Sequence, residues 1–329
     1  MISMRILLKA AMAAGLGASL GASILGLAHA QSYPHKPIKL ILPYTPGSPN
    51  DALARLIAPQ LASRLGQPLV IDNRPGGGTT IGAKVVMTAE PDGYTLLFTN
   101  APTHAIAPLV VKGSTYEPVK DFAPVAAIGS TSLVMVIAPS VPAQSLREFI
   151  AYAKANPGKL NFGYGQGTLP HLVGEAFKLA TGIDLASIPY KGGPQIVTDV
   201  LGGRIHMMLS AGTTLAPLVR DGKLRALAVS SATRSAELPD VPTMAESGLP
   251  ELTTVTHYGI LGPAGMPAAV VARLNSEANE LLQSPEQRAS LSKAGFEPSG
   301  GSPQDFASLI SEQMQKWAPI VKAVGFQME

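Results

Sequence analysis

Two short turns carry the residues best suited to chemistry. Thr45-Pro46-Gly47 leads into Ser48-Pro49-Asn50-Asp51, and Gly165-Gln166-Gly167 leads into Thr168-Leu169-Pro170. In each, a hydroxyl residue stands where a helix N-cap belongs. A proline sits in the first helical turn, where its missing N–H costs nothing. Asp51 completes a capping-box-like S-x-x-D. A helix head that follows a strand and a glycine-containing turn presents backbone N–H groups and the positive end of a dipole, which suits a carboxylate or a phosphate. The same residues also fit two ordinary capped helices, and the pattern by itself leaves both readings open.

Other signatures fail on context. Gly17-Ala18-Ser19-Leu20-Gly21 has the G-x-S-x-G form of a nucleophile elbow but lies in an apolar N-terminal stretch, not between a strand and a helix. Gly163, Gly165 and Gly167 follow a strand without the G-x-G-x-x-G spacing of a dinucleotide loop. The chain has no cysteine, which excludes disulfides, Cys-ligated zinc, iron–sulfur clusters and thiol nucleophiles. The 6 histidines (His29, His35, His104, His171, His206 and His257) are scattered without ligand spacing, so neither a metal nor a cofactor is expected. An exported hydrolase would need a nucleophile with an oriented base, and no such constellation is visible.

The elements that must position these turns follow from composition and periodicity. With 329 residues, 46% hydrophobic and 14% charged, the chain can build sizeable cores. Aromatics at 5% and a net charge of +3 are too little for a nucleic-acid surface. Met1–Ala30 reads as a secretory signal peptide: Arg5 and Lys9 precede an uncharged Ala10–Leu27 stretch, and Ala28-His29-Ala30 is the cleavage site. Removing it takes the net charge from +3 to +1. No later stretch is long and apolar enough to span a bilayer.

Along the mature chain, Lys39–Tyr44 predicts a buried strand. Leu53, Ile57, Leu61 and Leu65 give the next helix one apolar stripe, ended by Gly66. Strands are expected at Pro68–Asn73, Tyr94–Thr99, Thr131–Ala138, Leu160–Tyr164, Ser187–Tyr190, Arg204–Leu209, Lys223–Ser230 and Thr253–Leu261. Helices are expected at Thr80–Ala89, Leu146–Lys154, Leu169–Ala180, after Pro194, at Thr213–Arg220, Pro267–Gln283 and Pro303–Val324. The alternation predicts a mainly parallel α/β sheet with helices on both faces and ligand beyond the carboxyl ends of the strands.

Ordered motifs from Tyr33 almost to the C-terminus then carry a resemblance. They are YPHKPIKLILPYTPG with the later Asp51, DNRPGGGTTIGA, PDGYTLLF, EPVKDFAPV, PGKLNFGYGQGTLPHL, IPYKGG, GKLRALAVSSATRS, LPDVPTMAESG and GPAGMP. The chain resembles the substrate-binding proteins of the tripartite tricarboxylate transporter family, the Bug or TctC-like receptors. That resemblance implies a periplasmic-binding-protein fold of type II: two α/β lobes joined by two crossing strands, with a ligand cleft between. Lobe one would be residues 31–130 and 260–329 and lobe two 131–259, with the Thr131–Ala138 and Thr253–Leu261 strands crossing.

The family holds a carboxylate by backbone amides, hydroxyls and water. Carried over by position, lobe one would bind through Tyr44, Thr45, Pro46, Gly47, Ser48 and Asp51, and through Asn100, Ala101 and Thr103. Lobe two would supply Gly165, Gln166, Gly167 and Thr168, then Tyr190 with Lys191, and the Ser210-Ala211-Gly212 turn. Ser48 stands where the family has a glycine, and His257 where it often has tryptophan; His257 would either meet a second polar group of the ligand or pair with backbone. His104 and His171 are expected to cap or pack. The Ser48 and Thr168 caps would take the carboxylate common to all ligands, and Gln166, Tyr190, Lys191, His257 and Asn100 would read its identity.

The implied protein is a monomeric periplasmic receptor, cleaved after Ala30. It would bind a di- or tricarboxylate, an acidic amino acid or an aromatic carboxylate such as terephthalate, without catalysis, for membrane transporter subunits or a sensor kinase. A purely sensory receptor or an exported hydrolase are the alternatives.

Overall fold

The computed structural model describes residues 33–112, 116–190, 192–325 and 327. The expected leader and Lys191 lie outside the described residues. The chain divides into two compact units, 1–35 and 36–329, and the architecture below is that of the second.

Ten strands form one continuous hydrogen-bonded system among the described residues. They are β1 (Ile38–Leu42), β2 (Leu69–Asn73), β3 (Thr95–Asn100), β4 (Phe122–Ile137), β5 (Leu160–Gly165), β6 (Leu185–Tyr190), β7 (Met207–Ala211), β8 (Arg225–Val229), β9 (Val255–Pro263) and β10 (Glu297–Pro298). Two sheets share the 16-residue β4. In the first the order is β2-β1-β3-β9-β4; in the second it is β6-β5-β7-β4-β8. The same arrangement thus occurs twice. Each sheet has three parallel strands, then an antiparallel strand that crosses from the other lobe. The sequence holds no repeat at a fixed period, so the duplication exists only in the backbone path.

These pairings fix where the strand ends point. β9 is antiparallel to both β3 and β4, so β1, β3 and β4 run the same way. β5, β6 and β7 run against β4. The carboxyl ends of the two parallel sets therefore converge from opposite directions on the middle of β4. Asn100 ends β3 at the level of Tyr258 and Gly129, and Ala211 ends β7 at the level of Leu133. The two levels lie four β4 residues apart, or about 13 Å at roughly 3.3 Å per residue. The two-lobe, two-crossing architecture expected from sequence is the observed one.

Helices cover the sheets as the apolar stripes require. Leu53, Ile57, Leu61 and Leu65 are all buried on the Pro49–Leu65 helix, which ends at Gly66 in the left-handed region. One core gathers Ile41, Val86, Leu97, Phe122, Phe306 and Ile310. The other gathers Val136, Phe149, Phe162, Phe177 and Met207, and also takes in Ile106, Val110, Trp317 and Val321. The last helix, Pro303–Val324, therefore roots its first half in one core and its second half in the other.

Several expectations are corrected. The sheets are mixed, because each crossing strand must run against the strands it joins. The first crossing strand begins at Phe122, not Thr131: Ala123, Pro124 and Gly129 interrupt the apolar run, but ladder hydrogen bonds to β9 continue across them with two register shifts. β7 starts three residues after Arg204 and includes Ser210 and Ala211, so the expected turn is the end of a strand followed by a helix beginning at Gly212. Helical segments at Pro102–Val110 and Pro285–Lys293 have no counterpart in the sequence reading.

Candidate functional site

The turn after β1 is built by side chains from three strand ends. Ser48 is the N-cap: its Oγ accepts from Asp51 N at 3.3 Å, and Pro49 occupies the first helical position. Gly47 has φ +80°, a conformation that a side chain would strain. Asp51 does not close the capping box onto Ser48 N. Its Oδ2 instead accepts from Gly47 N at 3.0 Å and from Arg55 Nε at 2.8 Å, and its Oδ1 from Asn73 Nδ2 at 3.1 Å. The Arg55 hydrogen bond, acting against burial, holds the Asp51 carboxyl below its usual range. Asn73 also donates to Tyr44 O at 2.9 Å. Asp51 is 3% exposed, so its carboxylate braces the turn from inside. Thr45, Pro46 and Gly47 are exposed at the rim.

The end of β3 completes this corner. The Tyr44 hydroxyl donates to Asn100 Oδ1 at 2.5 Å and lies 3.2 Å from Thr103 Oγ1. Burial pushes the Tyr44 phenol well above its ordinary pKa. Tyr116 OH donates to Thr103 O at 2.6 Å. Ala101 is buried beneath this network. His104, in the π-helical turn that follows, is fully buried: Nδ1 lies 3.3 Å from Thr99 Oγ1 and the ring meets Phe306 edge-on. Burial brings its pKa down to about 3.

In the other lobe, Thr168 caps the Leu169–Thr181 helix. Its Oγ1 donates to Gly165 O at 2.7 Å and accepts from His171 N at 3.4 Å. The hydroxyl is thus engaged within its own turn, whereas the N–H groups of Gln166, Gly167 and Leu169 have no acceptor among the described residues. Gly167 has φ +73°. Gly165 pairs with Tyr190 at the end of β6. The Tyr190 hydroxyl donates to Asp199 Oδ2 at 2.7 Å, and burial together with that carboxylate pushes its pKa up to about 12. His171 packs, its ring stacked on Tyr164 at 3.8 Å.

His257 stands on β9 opposite Ser130, between the Asn100 and Ala211 levels. It is half-buried, and its ring makes no hydrogen bond among the described residues; burial lowers its pKa to about 4. Ser210 and Ala211 border the Gly165 turn, and the ideal Cβ position of Gly212 lies 3.4 Å from the Glu237 carboxylate. The structure therefore brings Tyr44, Ser48, Asn100 and Thr103 to one lip, Gly165–Thr168 and Ser210–Gly212 to the facing one, and His257 between them.

Sequence reasoning missed Asn73, Arg55 and Tyr116 as supports. Asn73 lay in a quoted motif, and Arg55 follows Asp51 at i,i+4 spacing, which is a readable signal. Tyr116 had none. Among the described residues no group of acidic and histidine side chains could hold a metal ion. A separate groove of about 700 Å³, lined by Pro124, Val271, Asn275, Asn279 and Pro303, holds none of these residues.

Comparison with known proteins bears on this geometry. Residues 53–326 match the family described as "Tripartite tricarboxylate transporter family receptor". Protein BugT of Bordetella pertussis is 35% identical over 310 residues, covering 94% of this chain and 95% of BugT. The structure of Rpa4515 of R. palustris with adipate superposes with a TM-score of 0.83 at 34% identity, covering 90% of this chain and 99% of that one. MatC from Rhodopseudomonas palustris with bound malate gives a TM-score of 0.79 at 29% identity, covering 88% and 100%.

Proposed function

We propose, from the premise that this chain belongs to the tripartite tricarboxylate transporter receptor family, that it captures one small organic carboxylate between its lobes and releases it unchanged to a membrane partner. Family members are periplasmic solute-binding proteins, and structural neighbours hold carboxylates, adipate in one and malate in another. The observation that carries the reading is the convergence of two strand-end turns, each leading into a helix head, on the middle of β4.

The chemistry is that of binding. In the lobe-two turn, the N–H groups of Gln166, Gly167 and Leu169 surround the head of the helix, so a carboxylate can take several donors and the helix dipole together. In the lobe-one turn most N–H groups are already taken: Gly47 N by Asp51, Ser48 N by Thr45 O, and Asp51 N by Ser48. Lobe one then contributes the Ser48 hydroxyl, the Asn50 N–H, which has no acceptor among the described residues, and the Asn100 side chain. The ligand class is a di- or tricarboxylate, an acidic amino acid or an aromatic carboxylate. The partner is a transporter subunit, and the location is the periplasm after cleavage at Ala30. Lobe one comprises residues 31–130 and 260–329 and lobe two 131–259, with the end of the last helix seated on lobe two.

A thermal-shift screen with adipate, malate, glutamate and terephthalate tests the reading. A ligand at a hundred times its Kd adds about 2.7 kcal/mol to the folded state. At least one carboxylate should raise Tm by several degrees while the matching amides do not. A flat response across the panel would refute the proposal.

A further inference from the structure

The geometry points to a division of roles at the lobe-one corner: Asn100 reads an acceptor oxygen of the ligand, and Tyr44, carried over as a ligand contact, is the positioning residue that fixes the orientation of the Asn100 amide. This rests on the carboxylate reading above and narrows it.

The orientation of an asparagine amide follows from its neighbours. Thr103 N, which can only donate, lies 3.4 Å from Asn100 Oδ1. The Tyr44 hydroxyl donates to the same oxygen at 2.5 Å, and Thr103 Oγ1 approaches it at 3.4 Å. Three donors thus converge on Oδ1, and the NH₂ group must face the other way. Asn100 is the last residue of β3, at the carboxyl end where the lobes face each other. Its residue is 6% exposed, yet Nδ2 is not among the buried polar atoms left without a partner, and it forms no hydrogen bond with the described residues. It therefore keeps contact with solvent and presents two unused donors.

Tyr44 cannot play that part itself. Its hydroxyl is wedged between Asn100 and Thr103, its carbonyl is held by Asn73, and Tyr116 pins the Thr103 backbone behind it. Burial keeps the phenol protonated, so it remains a donor and the amide does not turn over. The outward face offers donors only. It suits a carboxylate, keto or hydroxyl oxygen and disfavours an ammonium. An acidic amino acid would have to meet Asn100 through a carboxylate and not through its ammonium.

The test is calorimetry on the full-length mature protein with adipate, malate and glutamate as probes. Asn100→Asp keeps an oxygen for all three internal donors, so it should fold with wild-type Tm, and it should lose dicarboxylate affinity at least ~100-fold because an anion replaces the outward donors. Tyr44→Phe removes only the hydroxyl and should weaken adipate or malate about tenfold, because a loosened Asn100 amide gives up part of a charge-assisted hydrogen bond to the ligand worth roughly ten- to a hundredfold. In an Asn100→Ala background, Tyr44→Phe should cost nothing further. Equal losses from Tyr44→Phe in both backgrounds, or carboxylate affinity within twofold of wild type in folded Asn100→Asp, would overturn the proposal while leaving the carboxylate reading intact. A wild type that binds none of the probes would overturn both.

Discussion

Asp51 is a buried carboxylate that braces its own turn. It takes one main-chain and two side-chain donors, so Asp51→Ala leaves Gly47 N without its acceptor and Asn73 with only Tyr44 O. The variant should lose about 0.5–1.5 kcal/mol in urea unfolding, the usual net worth of a hydrogen bond, since these donors are only partly buried. It should also weaken carboxylate binding, because the Gly47 turn loses its brace. The carboxyl sits below its ordinary value in the folded state, so its stabilisation is complete above about pH 4 and vanishes as pH falls through the folded pKa. The gap between wild type and variant should therefore close in acid. Thr168 is the contrasting case. Its hydroxyl joins Gly165 O to His171 N, so Thr168→Val should cost about 0.5–2 kcal/mol of stability as a lost cap. Affinity for every carboxylate should fall by a similar factor if, as proposed, the turn carries the shared anion site. A changed ligand ranking on calorimetry would contradict that assignment.

Among the elements, the last helix does more than close a lobe. Phe306 packs so tightly on β9 that a Cβ at Gly259 would lie 2.2 Å from its ring, while Trp317 fills the other core. Between them the Lys316 ammonium donates to Thr253 O, just before the crossing strand. Trp317→Ala should destabilise the protein by about 3–5 kcal/mol, as large aromatic truncations do. Hydrogen exchange should then report faster opening in the Leu169–Thr181 helix and in the last helix itself than in Pro49–Leu65. Uniform acceleration throughout would mean that the helix does not couple the lobes. Gly259→Ala should likewise destabilise by more than 1 kcal/mol, because neither Phe306 nor the Ala126 carbonyl can yield.

At the scale of the whole molecule, closure on the proposed ligand would be a rotation about the middle of β4, which both lobes share. Saturating ligand should shrink the particle in small-angle scattering and slow exchange at the Gly47 and Gly167 turns; unchanged curves and unchanged exchange would exclude a clamp. Acid stability follows from the buried histidines. Burial lowers His104 to about 3 and His171 and His257 to about 4. The unfolded chain then binds more protons than the folded one between those values and about 6.5, so stability rises with pH across that window. Unfolding midpoints should fall steadily from pH 6.5 toward pH 4, and His257→Trp should flatten the slope by about one proton.

What the sequence determined by itself is local or is read over the whole chain. Ser48 and Thr168 were legible as caps, Gly66 as a stop, and the Leu53–Leu65 stripe as a buried face, because each depends on neighbours within a few residues. The ordered motifs carried the family and its two-lobe fold. Only the tertiary structure decided what depends on pairing across the chain. Residues 122–130 become strand because β9 supplies their hydrogen bonds, not because their own propensity asks for it. Asp51 turns from Ser48 to Gly47, Arg55 and Asn73 because β2 delivers Asn73 to that corner. The Thr168 and Tyr190 hydroxyls, carried over as ligand contacts, also bond to Gly165, His171 and Asp199, which no local pattern announces. A side chain's type states which bonds it can make; which of them it has left for a ligand is settled by the partners that the fold brings within reach.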